Sequence, residues 1–266
     1  MKYTGKIILT ILLSLIAFSC ELDHNLNMEL PAGESFPMVE AYLTEGKPLQ
    51  ILAFKSTTLQ EPVRINLNWN ASVYIINGSD SVKLKNIIKF DRTTGYLYNY
   101  LNDTLVKGSV PEYELYIEIE GHSPIRAVSS PVGDVQIDAV TYDATALEVK
   151  SRNLDDPSGN YYKLRSSSFS GGSLQGVTQV IADLHNIPVG EITLYSPHVE
   201  EAFDSLRIDL YRMDKTAFDY HRSISNALGA NRDPFTPPGP FSGNVENAWG
   251  IFTCVSLDSY TLYPKK

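Results

Sequence analysis

The cysteine that follows an apolar leader has the most specific chemistry in this 266-residue sequence. Two lysines precede an uncharged run over residues 7–18, which is too short to cross a membrane and is typical of a secretory signal. The run ends in Ala17-Phe18-Ser19-Cys20, which resembles a bacterial lipoprotein cleavage site. We therefore predict that residues 1–19 are a signal peptide and that the thiol of Cys20 is the point of lipid attachment.

Lipid on Cys20 predicts a membrane anchor without a membrane-spanning helix. One acyl chain binds a bilayer only marginally, whereas the two or three chains of a lipoprotein hold it there. Residues 20–35 show no sustained apolar periodicity and no turn-bounded strands, so we predict a tether between the lipid and the folded body. The lipid bilayer is thus an expected partner, through acylated Cys20.

The second cysteine, Cys254, is the other candidate for thiol chemistry. With Cys20 lipidated, an intramolecular disulfide is excluded. Cys254 lies in the apolar run Gly250–Val255, so we predict a small buried side chain rather than a nucleophile.

The sequence lacks the residue spacings that are typical of metal-binding sites. The five histidines form neither a His-x-x-x-His pair nor a Cys/His pair, which argues against zinc. The oxygen-rich stretch Asp155–Asn160 lacks the spacing and the terminal glutamate of an EF-hand, so an ordinary turn is favoured over a calcium site. We predict no metal and no cofactor.

Catalytic motifs are also missing. The sequence has no Gly-x-Ser-x-Gly elbow and no glycine-rich phosphate loop. It offers no pair of carboxylates at a spacing that would identify a glycosidase. We therefore predict that the protein is not an enzyme, and a glycan-active enzyme is the least favoured alternative.

A proline-rich loop near the C-terminus carries the residues that we single out as a candidate interaction site. Residues 231–245 contain four prolines within seven positions, which excludes a helix. Side chains on and just after this loop either contact a partner or form a strap that packs a preceding helix against the last strands. These candidate interaction residues are Asp233, Phe235, Phe241, Asn244 and Trp249.

Apolar and polar residues alternate through the first half of the chain, as in strands of a half-buried sheet. In residues 112–120 four apolar side chains fall on one face and four glutamates on the other. Similar runs, separated by turn signals such as Asn77-Gly78, predict seven strands over residues 36–130. We predict an immunoglobulin-like or transthyretin-like β-sandwich there.

A second antiparallel β domain is predicted over residues 131–266, in which the Ser/Gly-rich stretch Ser166–Gly176 interrupts the strands. It contains one α-helix over residues 214–228, where apolar residues recur at three- and four-residue spacing. Asp214 can cap the start of this helix, and Gly229 can end it in a left-handed conformation. The predicted fold class is therefore mainly β, with an N-terminal sandwich followed by a second β domain that carries one helix.

Several motifs resemble one family of Bacteroidetes envelope lipoproteins, the domain of unknown function 4249. Val39–Gly46 is similar to the opening strand of the family, and Asp155–Tyr162 to the start of its second domain. The resemblance covers about residues 36–262. The motifs that resemble the C-terminal signature of the family are Asp233-Pro234-Phe235, Asn244-Val245 and Trp249-Gly250-Ile251-Phe252.

The resemblance implies a location and a role. Such proteins are usually encoded beside TonB-dependent outer-membrane receptors, so a receptor of this class is the expected partner. The implied location is the outer membrane, at its periplasmic face or at the cell surface. The implied role is that of a non-enzymatic binding or accessory component of a nutrient-uptake complex, with a ligand that the family does not specify.

Net charge and aromatic content restrict which other classes of partner the protein is expected to bind. The 22 Lys+Arg and 31 Asp+Glu residues give a net charge of −9, which argues against nucleic acid. The 16 tyrosines can stack on glycans or fill protein interfaces. The alternative function is a structural or adhesive surface lipoprotein that assembles through β edge strands.

Overall fold

The computed structural model describes most of the chain that follows the predicted tether. The described residues are 35–57, 66–67, 70–92, 94–143, 146–156, 159–197, 203–230, 232 and 239–263. The predicted signal peptide, Cys20 and the tether up to residue 34 lie outside them, as do Asp233 and Phe235.

Within these ranges the chain forms strands β1 to β16 and one helix, α1. The strands of the first half are β1 (Pro37–Thr44), β2 (Pro48–Lys55), β3 (Asn66–Leu67), β4 (Ser72–Asn77), β5 (Asp80–Lys83), β6 (Lys85–Asp91), β7 (Tyr96–Leu105), β8 (Tyr113–Glu118) and β9 (Ile125–Ser129). The second half contains β10 (Ala139–Tyr142), β11 (Ala146–Asn153), β12 (Tyr161–Ser170), β13 (Ser173–Asp183), β14 (Gly190–Pro197), β15 (Ser205–Met213), α1 (Lys215–Ala230) and β16 (Trp249–Leu262).

One long sheet contains strands from both predicted domains. Its order is β13-β12-β15-β16-β1-β2-β7-β6, with β3 paired to β2. At its centre β1 pairs with β16 in parallel, so that Val39 lies opposite Gly250 and Leu43 lies opposite Cys254. Because the last strand pairs with the first, the two predicted domains share this sheet.

Two smaller sheets cover the long sheet, each over its own hydrophobic core. Sheet β5-β4-β8-β9 and strands β1, β2 and β7 enclose the first core. Sheet β10-β11-β14 and strands β12 and β15 enclose the second. Strand β16 contributes Phe252 and Cys254 to the first core and Leu262 to the second. The predicted mainly β fold, with a sandwich and a second β domain, is confirmed.

Helix α1 packs on the opposite face of the long sheet. There Ala217 and Phe218 belong to one buried cluster with Tyr211 of β15 and Val255 of β16. As predicted, Asp214 caps the helix, because its Oδ1 accepts a hydrogen bond from the backbone N–H of Ala217 at 2.8 Å.

The predicted end of the helix is wrong. The helix continues through Gly229 to Ala230, and Gly229 does not have a positive φ. The carbonyl of Gly229 accepts a hydrogen bond from the N–H of Arg232 at 3.0 Å, which gives one of the last carbonyls of the helix a partner. In the part of the chain that the structure describes, no helix is long and apolar enough to cross a membrane.

The Ser/Gly-rich stretch Ser166–Gly176 is a hairpin and not the predicted interruption between strands. Strand β12 extends to Ser170, Gly171 and Gly172 form the turn, and β13 returns in antiparallel register. Ser166, Ser167 and Ser168 are buried in this hairpin. Their backbone pairing with β13 and β15 compensates for their low strand propensity.

Candidate functional site

Asn244 of the proline-rich loop is bonded into the fold. Its side-chain amide donates hydrogen bonds to the carbonyls of Val128 at 3.1 Å and Phe252 at 2.8 Å. Its Oδ1 accepts a hydrogen bond from the N–H of Phe252 at 3.0 Å. The asparagine thus joins β9 to β16, a contact that fits the strap interpretation of the loop.

We expect Asn244→Ala to lower the free energy of unfolding by about 2–3 kcal/mol, because it leaves backbone groups of two strands without a partner. Urea unfolding followed by far-UV circular dichroism measures this loss. Gln175→Ala is the control, since its side-chain amide donates a local, exposed hydrogen bond to the carbonyl of Ser173. Equal losses in the two variants would contradict the bridging role of Asn244.

Phe241 and Trp249 contact different parts of the fold. Phe241 is 43 % exposed and packs edge to face on Tyr220 of α1, with 5.4 Å between the ring centroids. Trp249 is 51 % exposed and stacks on Phe36, with 5.2 Å between centroids. Of the described candidate interaction residues, these two keep an exposed aromatic face that a partner can contact.

A cavity of about 570 Å³ opens on the face of the long sheet that also carries α1. Four tyrosines line it: Tyr42 from β1, Tyr96 and Tyr98 from β7, and Tyr211 from β15. Lys163 from β12 is also part of its lining and is only 3 % exposed. We call this site the tyrosine cavity.

Strand alternation and one irregular strand direct these side chains into the cavity. Tyr42 points away from the first core because its neighbours Ala41 and Leu43 point into it. In β7, Tyr100 belongs to the first core, whereas Tyr98, two positions earlier, lines the cavity. A regular strand would place both on one face, so β7 must twist between them.

A buried asparagine accompanies this twist of β7. The pairing of β7 with β2 ends at Tyr100 and Ile51. Beyond that point the side chain of Asn99 accepts a hydrogen bond from the N–H of Ala53 at 2.8 Å and donates one to the carbonyl of Ala53 at 2.8 Å. These bonds replace strand pairing, so that the backbone groups of β2 stay satisfied where β7 departs.

Lys163 is held by aromatic faces and a histidine. Its Nζ lies 4.4 Å from the ring centroid of Tyr211 and 5.3 Å from that of Tyr42. It also donates a hydrogen bond to Nε2 of His221 at 3.3 Å. Burial, with a smaller contribution from nearby Arg165, lowers the pKa of Lys163 to about 8.

His221 is neutral at physiological pH. Burial, followed by the charge of Lys163, lowers its pKa to about 3. Its ring stacks on Tyr42 with 5.6 Å between centroids, and its unprotonated Nε2 faces the ammonium of Lys163. Histidine and lysine therefore form one unit in which the lysine carries the charge.

A second layer of charge lies beside Lys163. Asp209 is fully buried, and its Oδ1 accepts hydrogen bonds from Nε of Arg207 at 2.8 Å and from Oγ of Ser259 at 2.6 Å. The guanidinium of Arg165 lies 5.8 Å from the ring centroid of Tyr96, and its Nη1 forms no hydrogen bond with the described residues. The surroundings of Lys163 thus hold charges of both signs, namely the cations Arg165 and Arg207 and the carboxylate of Asp209.

The phenols of the cavity are neutral donors. Burial raises the pKa of Tyr42, Tyr96, Tyr98 and Tyr211 above the ordinary value for tyrosine. Neutral phenols offer a hydroxyl for hydrogen bonding and a ring face for stacking. The arrangement is suited to hold a ligand that has both apolar faces and polar groups.

A second cavity of about 550 Å³ is lined by the end of β1, the turn after β7, residues 131–136 and part of β16. Cys254 is part of its lining but is only 3 % exposed, which confirms the predicted buried cysteine. Burial raises the pKa of its thiol to about 12, so the thiol stays protonated and is a poor nucleophile.

The oxygen-rich turn near residue 155 binds a side chain of the protein itself. Nη2 of the fully buried Arg212 donates hydrogen bonds to Oδ2 of Asp156 at 3.2 Å and to Oδ1 of Asn160 at 3.1 Å. Among the described residues no three histidine, cysteine, aspartate or glutamate side chains are placed to hold a metal ion.

Sequence reasoning did not identify the tyrosine cavity. Its residues come from strands that are far apart in the chain, and each strand is unremarkable by itself. The one usable signal is Tyr161–Arg165 in β12, where Lys163 and Arg165 occupy alternate positions among the first eight residues of the strand, all of which are buried. Buried cations at such positions need a polar environment, and the structure provides one.

Comparison with known proteins identifies a family. Among solved structures, the titin Ig tandem domains A164-A165 match with 10% identity, over 67% of this chain and 91% of that chain, with a TM-score of 0.20. A search of curated proteins found no match. The profile of the family described as "Domain of unknown function (DUF4249)" matches residues 23–261. The chain therefore belongs to the DUF4249 family.

Proposed function

We propose that the protein is an outer-membrane lipoprotein, anchored through acylated Cys20, that acts as a non-enzymatic binding component of a TonB-dependent nutrient-uptake complex. The tyrosine cavity is the observation that carries the binding role. The lipid anchor is supported by the cleavage-site pattern before Cys20, and the receptor by the family resemblance.

The size and lining of the cavity support a small ligand. Its volume of about 570 Å³ falls in the range of ligand sites, which is roughly 300–1,000 Å³. Its tyrosines lie on strands of one continuous sheet, which hold them rigidly. Rigid aromatic faces with a few polar groups bind ligands at a low cost in conformational entropy.

Exposed aromatic side chains beside the proline-rich loop support a protein partner. Phe241 and Trp249 keep about half of their surface exposed while their other faces pack on the fold. Large aromatic residues that are already ordered are favoured at protein interfaces. We assign these two residues to the contact with the receptor.

The test is affinity purification of the lipidated protein from envelope extracts in mild detergent, with mass spectrometry of the bound proteins. We expect a TonB-dependent receptor in near-equal amount, because the proposed complex is stoichiometric. The double variant Phe241→Ala and Trp249→Ala should reduce receptor recovery about tenfold, the loss of one moderate interface contact. Tyr195→Ala, which removes an exposed aromatic residue from β14, is the matched control.

A second candidate function is a structural or adhesive lipoprotein. Strand β6 forms one edge of the long sheet and exposes Ile88 and Phe90. Such an apolar edge can pair with a strand of another copy. Two results together would favour this function over the receptor complex. The protein would be purified without a receptor, and it would form concentration-dependent oligomers that Ile88→Lys abolishes.

A further inference from the structure

We infer that the tyrosine cavity binds an acidic saccharide, a sugar that carries carboxylate or sulfate groups. This inference rests on the proposed binding function and specifies the chemical class of the ligand. It combines two features of the cavity, its aromatic faces and its excess of cationic side chains.

The aromatic faces of the cavity are the reason for inferring a saccharide. Tyr42, Tyr96 and Tyr98 are half-buried, so part of each ring faces the cavity. A sugar ring has an apolar C–H face that packs on an aromatic ring and hydroxyls at its rim that bond to phenols. Thr94 and Gln50 add further hydrogen-bonding groups to the lining.

The charges of the cavity lining are the reason for inferring that the saccharide carries acidic groups. The lining contains two carboxylates, of which Asp258 already accepts hydrogen bonds from the N–H groups of Ile137 and Ser259, each at 2.8 Å. The lining has four cations against these two carboxylates, although one of the cations, Arg207, is paired with the buried Asp209. The cationic side chains of the lining are Lys47, Lys89, Lys163 and Arg207.

Lys163 is the cation placed to meet an anionic group. An ammonium has three donor hydrogens, and among the described residues Lys163 donates one hydrogen bond, to His221. Its other neighbours are ring faces, which solvate a cation less well than water or an anion does. A carboxylate or sulfate in the cavity would add a directly bonded counter-charge to the more distant ones of Asp209 and Glu40, in a site of low dielectric.

The arrangement favours an acidic sugar over a neutral one. A neutral sugar that filled the cavity would exclude solvent from Lys163 without adding a negative charge beside its ammonium. Arg165 lies behind Tyr96 with an Nη1 that forms no hydrogen bond with the described residues, and it adds positive potential at the same place. We therefore expect discrimination against uncharged saccharides.

Calorimetric titration of the full lipidated protein in detergent micelles tests the inference. The probes are oligogalacturonate, a sulfated dextran oligosaccharide and the same dextran oligosaccharide without sulfate. We expect at least one acidic probe to bind about tenfold or more tightly than the unmodified dextran, because one charged hydrogen bond contributes about that factor. Oligogalacturonate and sulfated dextran distinguish carboxylate from sulfate as the recognised group.

Two variants locate the binding at the cavity. Lys163→Met and Tyr98→Ala should each weaken binding of the acidic probe about tenfold. The matched control is Lys83→Met, because Lys83 also lies over a tyrosine ring, 5.4 Å from the centroid of Tyr74, but is not part of the cavity lining. If Lys163→Met fails to fold, the half-buried Tyr98 keeps the test decisive.

The outcomes separate this inference from the proposed function. The acidic-saccharide inference would be overturned if sulfated dextran, unmodified dextran and oligogalacturonate all bound equally. It would also be overturned if Lys163→Met and Tyr98→Ala left the affinity for the acidic probe unchanged. Recovery of a receptor without binding of any saccharide would also overturn the acidic-saccharide inference, but it would support the uptake complex. Cavity-dependent binding of an acidic probe without recovery of a receptor would support the inference and overturn the receptor complex.

Discussion

Gly250→Ala is expected to prevent the long sheet from forming, with a loss of more than about 4 kcal/mol in the free energy of unfolding. Gly250 has a φ of +129°, a conformation that residues with a side chain rarely adopt. A Cβ at this position would lie 1.8 Å from the carbonyl oxygen of Val39. Val39 and Gly250 are opposite residues in the parallel pair of β1 and β16, so neither backbone can move away without breaking that pair.

Urea unfolding and the yield of soluble protein measure this effect. Gly229→Ala is the control, because Gly229 lies in α1, does not have a positive φ, and has no atom within 4 Å of the added Cβ. We expect that control to raise the free energy of unfolding by about 0.5–1 kcal/mol, the usual gain for alanine in a helix. A Gly250→Ala protein with a wild-type unfolding midpoint would show that the close approach of β1 and β16 is not required.

Acid is expected to destabilise the wild-type protein through His221. The folded protein holds the pKa of His221 at about 3, against 6.5 for an unperturbed histidine. Above pH 6.5 the histidine is neutral in both states and has no effect. As the pH falls from 6.5 towards 3, the unfolded chain binds a proton that the folded protein does not, so stability is lost progressively.

The expected loss at pH 4 is about 3 kcal/mol, since each pKa unit corresponds to about 1.4 kcal/mol. The groups that face His221 are Lys163 from β12, Tyr42 from β1 and Tyr220 from its own helix. Of these, only the ammonium of Lys163 is charged in this pH range, and it opposes protonation of the ring throughout.

The measurement is the free energy of unfolding in urea at several pH values between 4 and 7. Carboxylates also titrate in this window, so the wild type is compared with His221→Gln, which should lose about 3 kcal/mol less on acidification. His122→Gln, which replaces an exposed histidine in a turn, is expected to follow the wild type. Parallel curves for the wild type and His221→Gln would mean that His221 takes up its proton in the folded protein.

Local patterns in the sequence predicted most individual elements correctly. Alternation over residues 112–120 predicted a strand, and the structure has β8 at Tyr113–Glu118. The Asn77-Gly78 pair predicted a hairpin, and it joins β4 to β5 with Gly78 at a φ of +59°. These features depend on a residue and its nearest neighbours in the chain, which is why a single sequence reveals them.

Long-range pairing and the candidate site were decided only by the tertiary structure. Alternation shows that Tyr42 and Leu43 face opposite sides of a strand, but it does not show that β1 lies between β16 and β2. That order brings Tyr42, Lys163 and Tyr211 to one cavity, although more than a hundred residues separate the first from the second. By itself the sequence determined the β-rich class, the capped start of the helix and the buried Cys254. The tertiary structure decided which strands are neighbours, because strand partners are chosen by the packing of whole faces and not by local propensity.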